Sequence, residues 1–131
     1  MLVKIYGAAI HGVSAQIITI EVNVDQGVGY HLVGIPDTAI KESSYRISAA
    51  LKNSGFKIPG KKITINMAPA DLRKEGAAYD LSIALGILAA SDLIKYENLS
   101  DYIIMGELSL DGTLQPIRGV LPIAIKARED G

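Results

Sequence analysis

The chain has 131 residues and no cysteine, and it is 49% apolar and 21% charged; this suits one globular domain that buries a core without disulfide staples. One Phe and no Trp make that core aliphatic, and a net charge of −1 leaves any charged partner to be read from the distribution of charge rather than its total. The opening MLVKIYGAAIHG has neither the pattern of a signal peptide nor an apolar run long enough to span a bilayer, so a cytoplasmic protein with no membrane partner is expected.

Residues 2–6 and 16–24 alternate in polarity, with Ile18, Ile20, Val22 and Val24 on one face and Thr19, Glu21 and Asn23 on the other. They predict two half-buried antiparallel strands. A third, short strand is expected at 31–34, ended by Pro36, which removes a ladder donor. Asp37 stands where an N-cap belongs, Ile40, Ile47, Ala50 and Leu51 recur at helical spacing, and Gly55 fits a C′ residue; a helix over about 38–53 follows. Residues 61–67 alternate again as a strand, with Ile63, Ile65 and Met67 together. The stretch 77–92 is the most apolar of the chain and predicts a central helix covered on most sides, with Asp80 in a first turn where the helix dipole favours a carboxylate. After a loop containing Tyr96, Asn98 and Asp101, the run YIIMGELSLDGTLQPI reads as a hairpin turning at Asp111-Gly112. The rest, from Gly119, is helical, with Pro122 tolerable only near the first turn. The order β-β-β-α-β-α-β-β-α predicts an α+β fold, a mixed sheet with helices gathered on one face.

Charge is uneven along this order. Lys41, Arg46, Lys52, Lys57, Lys61, Lys62, Arg73 and Lys74 make the middle of the chain basic, while both ends lean acidic. No aromatics interleave with the cations, so the block reads first as a solvated helix face plus a basic turn, with a nucleic-acid contact as the sharper alternative. The turn Gly55-Phe56-Lys57-Ile58-Pro59-Gly60-Lys61-Lys62 nearly matches a Walker A loop but has Lys62 where a magnesium-binding hydroxyl is required, and it leads from a helix into a strand. A phosphate cradle needs the opposite, free N–H groups at the start of a helix, so this loop is not expected to bind ATP. His11 and His31 have no ligand spacing, so no metal site is expected. No GxSxG or other serine-triad order is present either.

Three stretches are more specific: GIPDTAIKES at 34–43, APADLRKEGAAYDL at 68–81 and GELSLDGTLQPIRG at 106–119. Together they resemble the N-terminal domain of the YifB/ComM magnesium-chelatase-like AAA+ ATPase family over essentially the whole chain, and more distantly the proteolytic domain of Lon and the Lon-like domain of RadA. The resemblance implies a ribosomal protein S5 domain 2-like sandwich, one Lon-like domain over 1–131, and an ATPase module beyond it that supplies ATP and Mg²⁺ binding. Lon proteases use a Ser-Lys dyad. Superposing the motifs puts Ala78 at the serine and Leu121 at the lysine, so neither an activatable oxygen nor a base is present and no catalytic residue is expected. Ser82 and Lys126 are the nearest substitutes, and a degenerate peptidase would need both to shift together. The family resemblance implies ring-shaped motors that act on DNA in natural transformation and branch migration. The expected role is therefore a non-catalytic domain contributing to homo-oligomer assembly and to DNA or partner contact, the latter through Lys52, Lys57, Lys61, Lys62, Arg73 and Lys74. A pure interaction scaffold is the other alternative, and nothing in these residues addresses a porphyrin.

Overall fold

A computed structural model describes residues 1–57, 60–95 and 97–131. Ile58 and Pro59, at the centre of the Walker-like turn, and Tyr96 of the expected loop lie outside the described residues. The element order is the expected one except that its first helix is split in two: β1 (Leu2–His11), β2 (Ser14–Asp25), β3 (Gly29–Val33), α1 (Thr38–Lys41), α2 (Ser43–Asn53), β4 (Lys62–Ala68), α3 (Asp80–Ala90), β5 (Glu107–Leu108), β6 (Leu114–Gln115) and α4 (Val120–Asp130), with a 3-10 turn at Leu99–Asp101. The main sheet runs β1-β2-β4-β3, and β5-β6 form a separate small hairpin. β1/β2 and β2/β4 are antiparallel and β3/β4 parallel, giving the mixed sheet of an α+β fold. No helix among the described residues is long and apolar enough to cross a membrane.

One face of this sheet carries the core. Val3, Ile5, Ile18, Ile20, Val22, Ile65 and Met67 meet Ile83, Ile87 and Leu88 of α3 and Ile47 and Leu51 of α2. Gly86 lets α3 lie close on the sheet, because a Cβ there would stand 2.5 Å from Val22 Cγ2. The helix expected over 38–53 is broken at Glu42, whose N–H closes α1 on Thr38 O and whose carbonyl accepts from Tyr45 N at i+3 to open α2. The helix expected from 77 starts at Asp80, because the carbonyls of Ala77 and Ala78 accept from Asp80 N and Gly106 N instead.

The expectation that all helices share one face needs correction. α2 and α3 cover the core face, whereas Ala127 of α4 shares a cavity with Tyr6 and Ile17, and a Cβ on Gly119 would strike the Ile10 side chain. Tyr6, Ala8 and Ile10 alternate with Ile5, Gly7 and Ala9 along β1 and so belong to the reverse face. The buried Ala8 and Ile123 accordingly lie outside the main core cluster. The sequence carries a physical sign of this: Gly7-Ala8-Ala9-Ile10 and Ile17-Ile18 are continuous rather than alternating, the pattern of strand segments covered on both sides.

Candidate functional site

The three distinctive stretches converge at the start of α3. Asp37 caps α1 by accepting from Ile40 N at 2.9 Å, and its second oxygen accepts from Gly76 N at 2.8 Å. Asp37 N donates to Lys74 O and Lys74 N to Ile35 O, so the loops at 34–37 and 74–76 run side by side. Gly34 makes this approach feasible, with φ +110° and the Met67 carbonyl where a Cβ would go. From the third stretch, Gly106 N donates to Ala78 O, Leu81 N donates to Gly106 O, and Leu108 N reaches Asp80 Oδ2 at 3.1 Å.

Two charged groups are buried in this frame. Asp80 is 1% exposed and takes a bidentate grip from Arg46, Nε to Oδ2 at 2.7 Å and Nη2 to Oδ1 at 2.9 Å, while Arg46 also donates to Ala39 O. The hydrogen bond to Asp80 is the main cause that raises the Arg46 pKa above its usual range. Arg46, read from sequence as part of the solvated basic face, instead turns inward. The available signal was Asp80 itself, a lone carboxylate in an apolar helix that needs a buried partner.

Lys74 is the second buried charge and corrects a site expectation. It is 0% exposed, and its Nζ donates to Gly34 O at 2.8 Å and to Pro69 O. Burial lowers its pKa, partly opposed by Asp71. An ammonium enclosed by the protein's own carbonyls has no reach to a phosphate, so Lys74 is a loop clamp and not a DNA contact.

Beside this frame lies a cleft of about 550 Å³. Its walls are residues 8–11 of β1, the loop 72–79 apart from Lys74, residues 116–118, and Met105, Glu107 and Ile123. Ala78, at the nucleophile position implied by the resemblance, lines it. Leu121, at the lysine position, is 71% exposed on α4 and is not part of the lining. The substitutes do not meet either. Ser82 is fully buried and its hydroxyl donates to Ile104 O, while Lys126 pairs with Asp130 at 3.3 Å on α4, across the sheet. His11 lines the cleft and His31 is exposed on β3. Among the described residues, no group of three or more His, Cys, Asp or Glu side chains is placed to hold a metal.

The remaining basic residues divide into two locations. Lys52, Lys57, Lys61 and Lys62 are all exposed around the passage from α2 into β4. Arg73 follows the other end of β4, a strand that spans roughly 20 Å at 3.3 Å per residue, and pairs with Glu75 at 3.2 Å beside the cleft. Asp25, opposite Lys62 in the ladder, tempers the four-lysine end. Gly60-Lys61-Lys62 leads into strand β4 and not a helix N-terminus, so these residues do not fit a nucleotide phosphate.

A family model described as Subunit ChlI of Mg-chelatase matches residues 20–131. Competence protein ComM of Haemophilus influenzae is 45% identical over 129 residues, covering 98% of this chain and 25% of that protein. The uncharacterized protein YifB of Escherichia coli is 46% identical over 121 residues, covering 92% of this chain and 24% of its own length. An uncharacterized Mycobacterium bovis protein is 40% identical over 129 residues, 98% of this chain and 26% of that protein. The chain spans about a quarter of the length of these curated relatives.

Proposed function

The chain belongs to the Mg-chelatase-like family of ComM and YifB, and from that premise we propose that it is a non-catalytic, Lon-like domain of a cytoplasmic AAA+ ATPase that works on DNA. In this reading it has the S5 domain 2-like sandwich and contributes to ring assembly and to DNA contact. ATP and Mg²⁺ belong to a separate motor module of the longer protein. The observation that carries the DNA half is that Lys52, Lys57, Lys61 and Lys62 are all exposed and follow one another in the chain between the end of α2 and the start of β4. Arg73, held by Glu75, is a secondary contact at most. The non-catalytic half rests on Ala78, a methyl group where the resemblance puts the nucleophile, and on Leu121, an isobutyl group where it puts the lysine and which itself lies outside the cleft.

The test is DNA binding by this chain and by the longer protein across a salt series, with mass determination in solution. Each phosphate contact contributes about 0.9 to the slope of log affinity against log salt. The paired change Lys61→Glu and Lys62→Glu should therefore weaken binding and flatten the slope by roughly two. An unchanged slope, or no DNA binding by either form, refutes the DNA half and leaves a scaffold. Labelling of Ser82 by a serine-directed probe refutes the non-catalytic half.

A further inference from the structure

The cleft beside Ala78 has one wall made of sheet edge. In the β1/β2 ladder, Val24 N donates to Met1 O, so the odd-numbered residues of β1 direct their backbone groups at β2. The even-numbered residues direct theirs outward, and two of them show what that edge does. Tyr6 O accepts from Ile104 N at 2.8 Å, while Ala8 O accepts from the Tyr79 hydroxyl at 3.0 Å and Ala8 N points at Met105 Sδ. Ile10 is the next outward residue along β1, beyond the positions that meet Ile104 and Met105. By the same alternation its N–H and C=O point away from β2, and Ile10 lines the cleft together with residues 116–118 and 75–78.

We propose that this cleft captures an extended polypeptide segment, which adds as a short strand to the β1 edge at Ile10. A strand edge recognises backbone amides, and the alternating side chains of the guest take the pockets on either side. The space fits: about 550 Å³ accepts a segment of about three residues, on the order of 10 Å long. Leu72, Ala77, Ala78, Ile117 and Ile123 offer apolar surface for the side chains. Charge decides the class of guest. Arg73 and Arg118 are matched in the cleft by Glu75 and Glu107, and a phosphate backbone would meet those carboxylates, whereas a peptide backbone is neutral. The methyl of Ala78 is what makes this wall passive, so a guest is held without being cut. This surface is separate from the four-lysine end and stands or falls independently of the DNA reading.

The experiment is selection of a displayed random octapeptide library on this chain, with two blocked variants run in parallel. Ile10→Pro removes an outward N–H, which an edge position tolerates, together with a side chain that rests against Gly119. Ala78→Arg fills the floor, and urea midpoints verify that both variants fold. Enriched peptides should bind the parent and lose at least tenfold on both variants, and N-methylation of the peptide amide that pairs with Ile10 should cost roughly tenfold, the worth of one backbone hydrogen bond. The proposal is overturned by the absence of enrichment over the blocked variants, by equal binding to them, or by full displacement of the peptide with single-stranded DNA. If one variant fails to fold, the other variant and the N-methyl peptide still decide.

Discussion

Removing Arg46 should unfold this chain more readily than any loss of a surface charge. In Arg46→Met the Asp80 carboxylate, 1% exposed, keeps a single donor, Leu108 N at 3.1 Å. Breaking a buried ion pair from one side costs about 3–5 kcal/mol, because an uncompensated charge remains in the interior. Total stability for a domain of this kind is about 5–15 kcal/mol. With a urea m-value of about 2 kcal/mol/M, the midpoint in circular dichroism should fall by roughly 1.5–2.5 M. Asp80→Leu should cost less, since the Arg46 side chain is 20% exposed and can turn its guanidinium to water. The double variant Arg46→Met with Asp80→Leu should therefore be more stable than Arg46→Met alone. A midpoint shift below about 0.5 M at unchanged m, or a double variant whose loss equals the sum of the singles, would refute the claim that the pair is a buried, coupled unit.

Glycine substitutions should separate crowding from backbone strain: Gly55→Ala, with φ +89° and open space, should lose about 1–2 kcal/mol. Gly34→Ala should lose well over about 4 kcal/mol or fail to fold, since its methyl would overlap the Met67 carbonyl; equal urea midpoints for the two would contradict this. Burial pushes the Tyr79 pKa up to about 12 from 10.0. The folded state then keeps a proton that the unfolded chain releases, so this contribution is intact below pH 10 and declines as pH climbs toward 12, by at most about 1.4 kcal/mol per pH unit. Urea titrations from pH 9 to 11 should show that part of the decline missing in Tyr79→Phe, and identical slopes would exclude it. Lys74 contributes the opposite sign, a gain as pH rises toward its ordinary 10.5, because its folded pKa is lowered. Finally, Lys74→Met should leave the salt slope of DNA binding unchanged while Lys61→Glu with Lys62→Glu flattens it; a matching effect from Lys74→Met would mean that its side chain reaches DNA.

Local signals were legible in the sequence, and tertiary ones were read only in part. The Asp37 cap, the positive-φ Gly55 at the end of α2, the Asp111-Gly112 turn and Pro122 in the first turn of α4 each follow from a short-range backbone rule, and the structure has all four. The alternation in β2 and β4 sets their buried faces for the same reason. What escaped depends on partners far along the chain. Arg46 and Lys74 look like any surface cation until Asp80, Gly34 and Pro69 are brought beside them. Helix α4 lies on the face that alternation alone does not predict, because the apolar run in β1 continues past Tyr6 and is covered on both sides. The cleft is half legible: the resemblance points to Ala78, while nothing local marks Ile10 as an outward edge residue.

The placement of the buried charges bears on how the cleft is held. Lys74 fixes the loop that forms one wall of the cleft, and the Asp80–Arg46 pair sits one residue from Tyr79, whose hydroxyl closes the β1 edge at Ala8. Each enclosed charge forfeits hydration, so each is an expensive way to hold a backbone that aliphatic packing could hold more simply. What hydrogen-bonded charges add over packing is direction: Lys74 aims at two named carbonyls, and Asp80 ties Arg46 to Leu108 N. Directional restraint serves a surface whose shape must be reproduced for a guest. Chemistry demands an activatable group in addition, and at position 78 there is only a methyl. Under the proposed reading, a cleft whose walls are fixed in this way and whose floor at position 78 is a methyl suits recognition, and the β1 edge at Ile10 gives that recognition a direction.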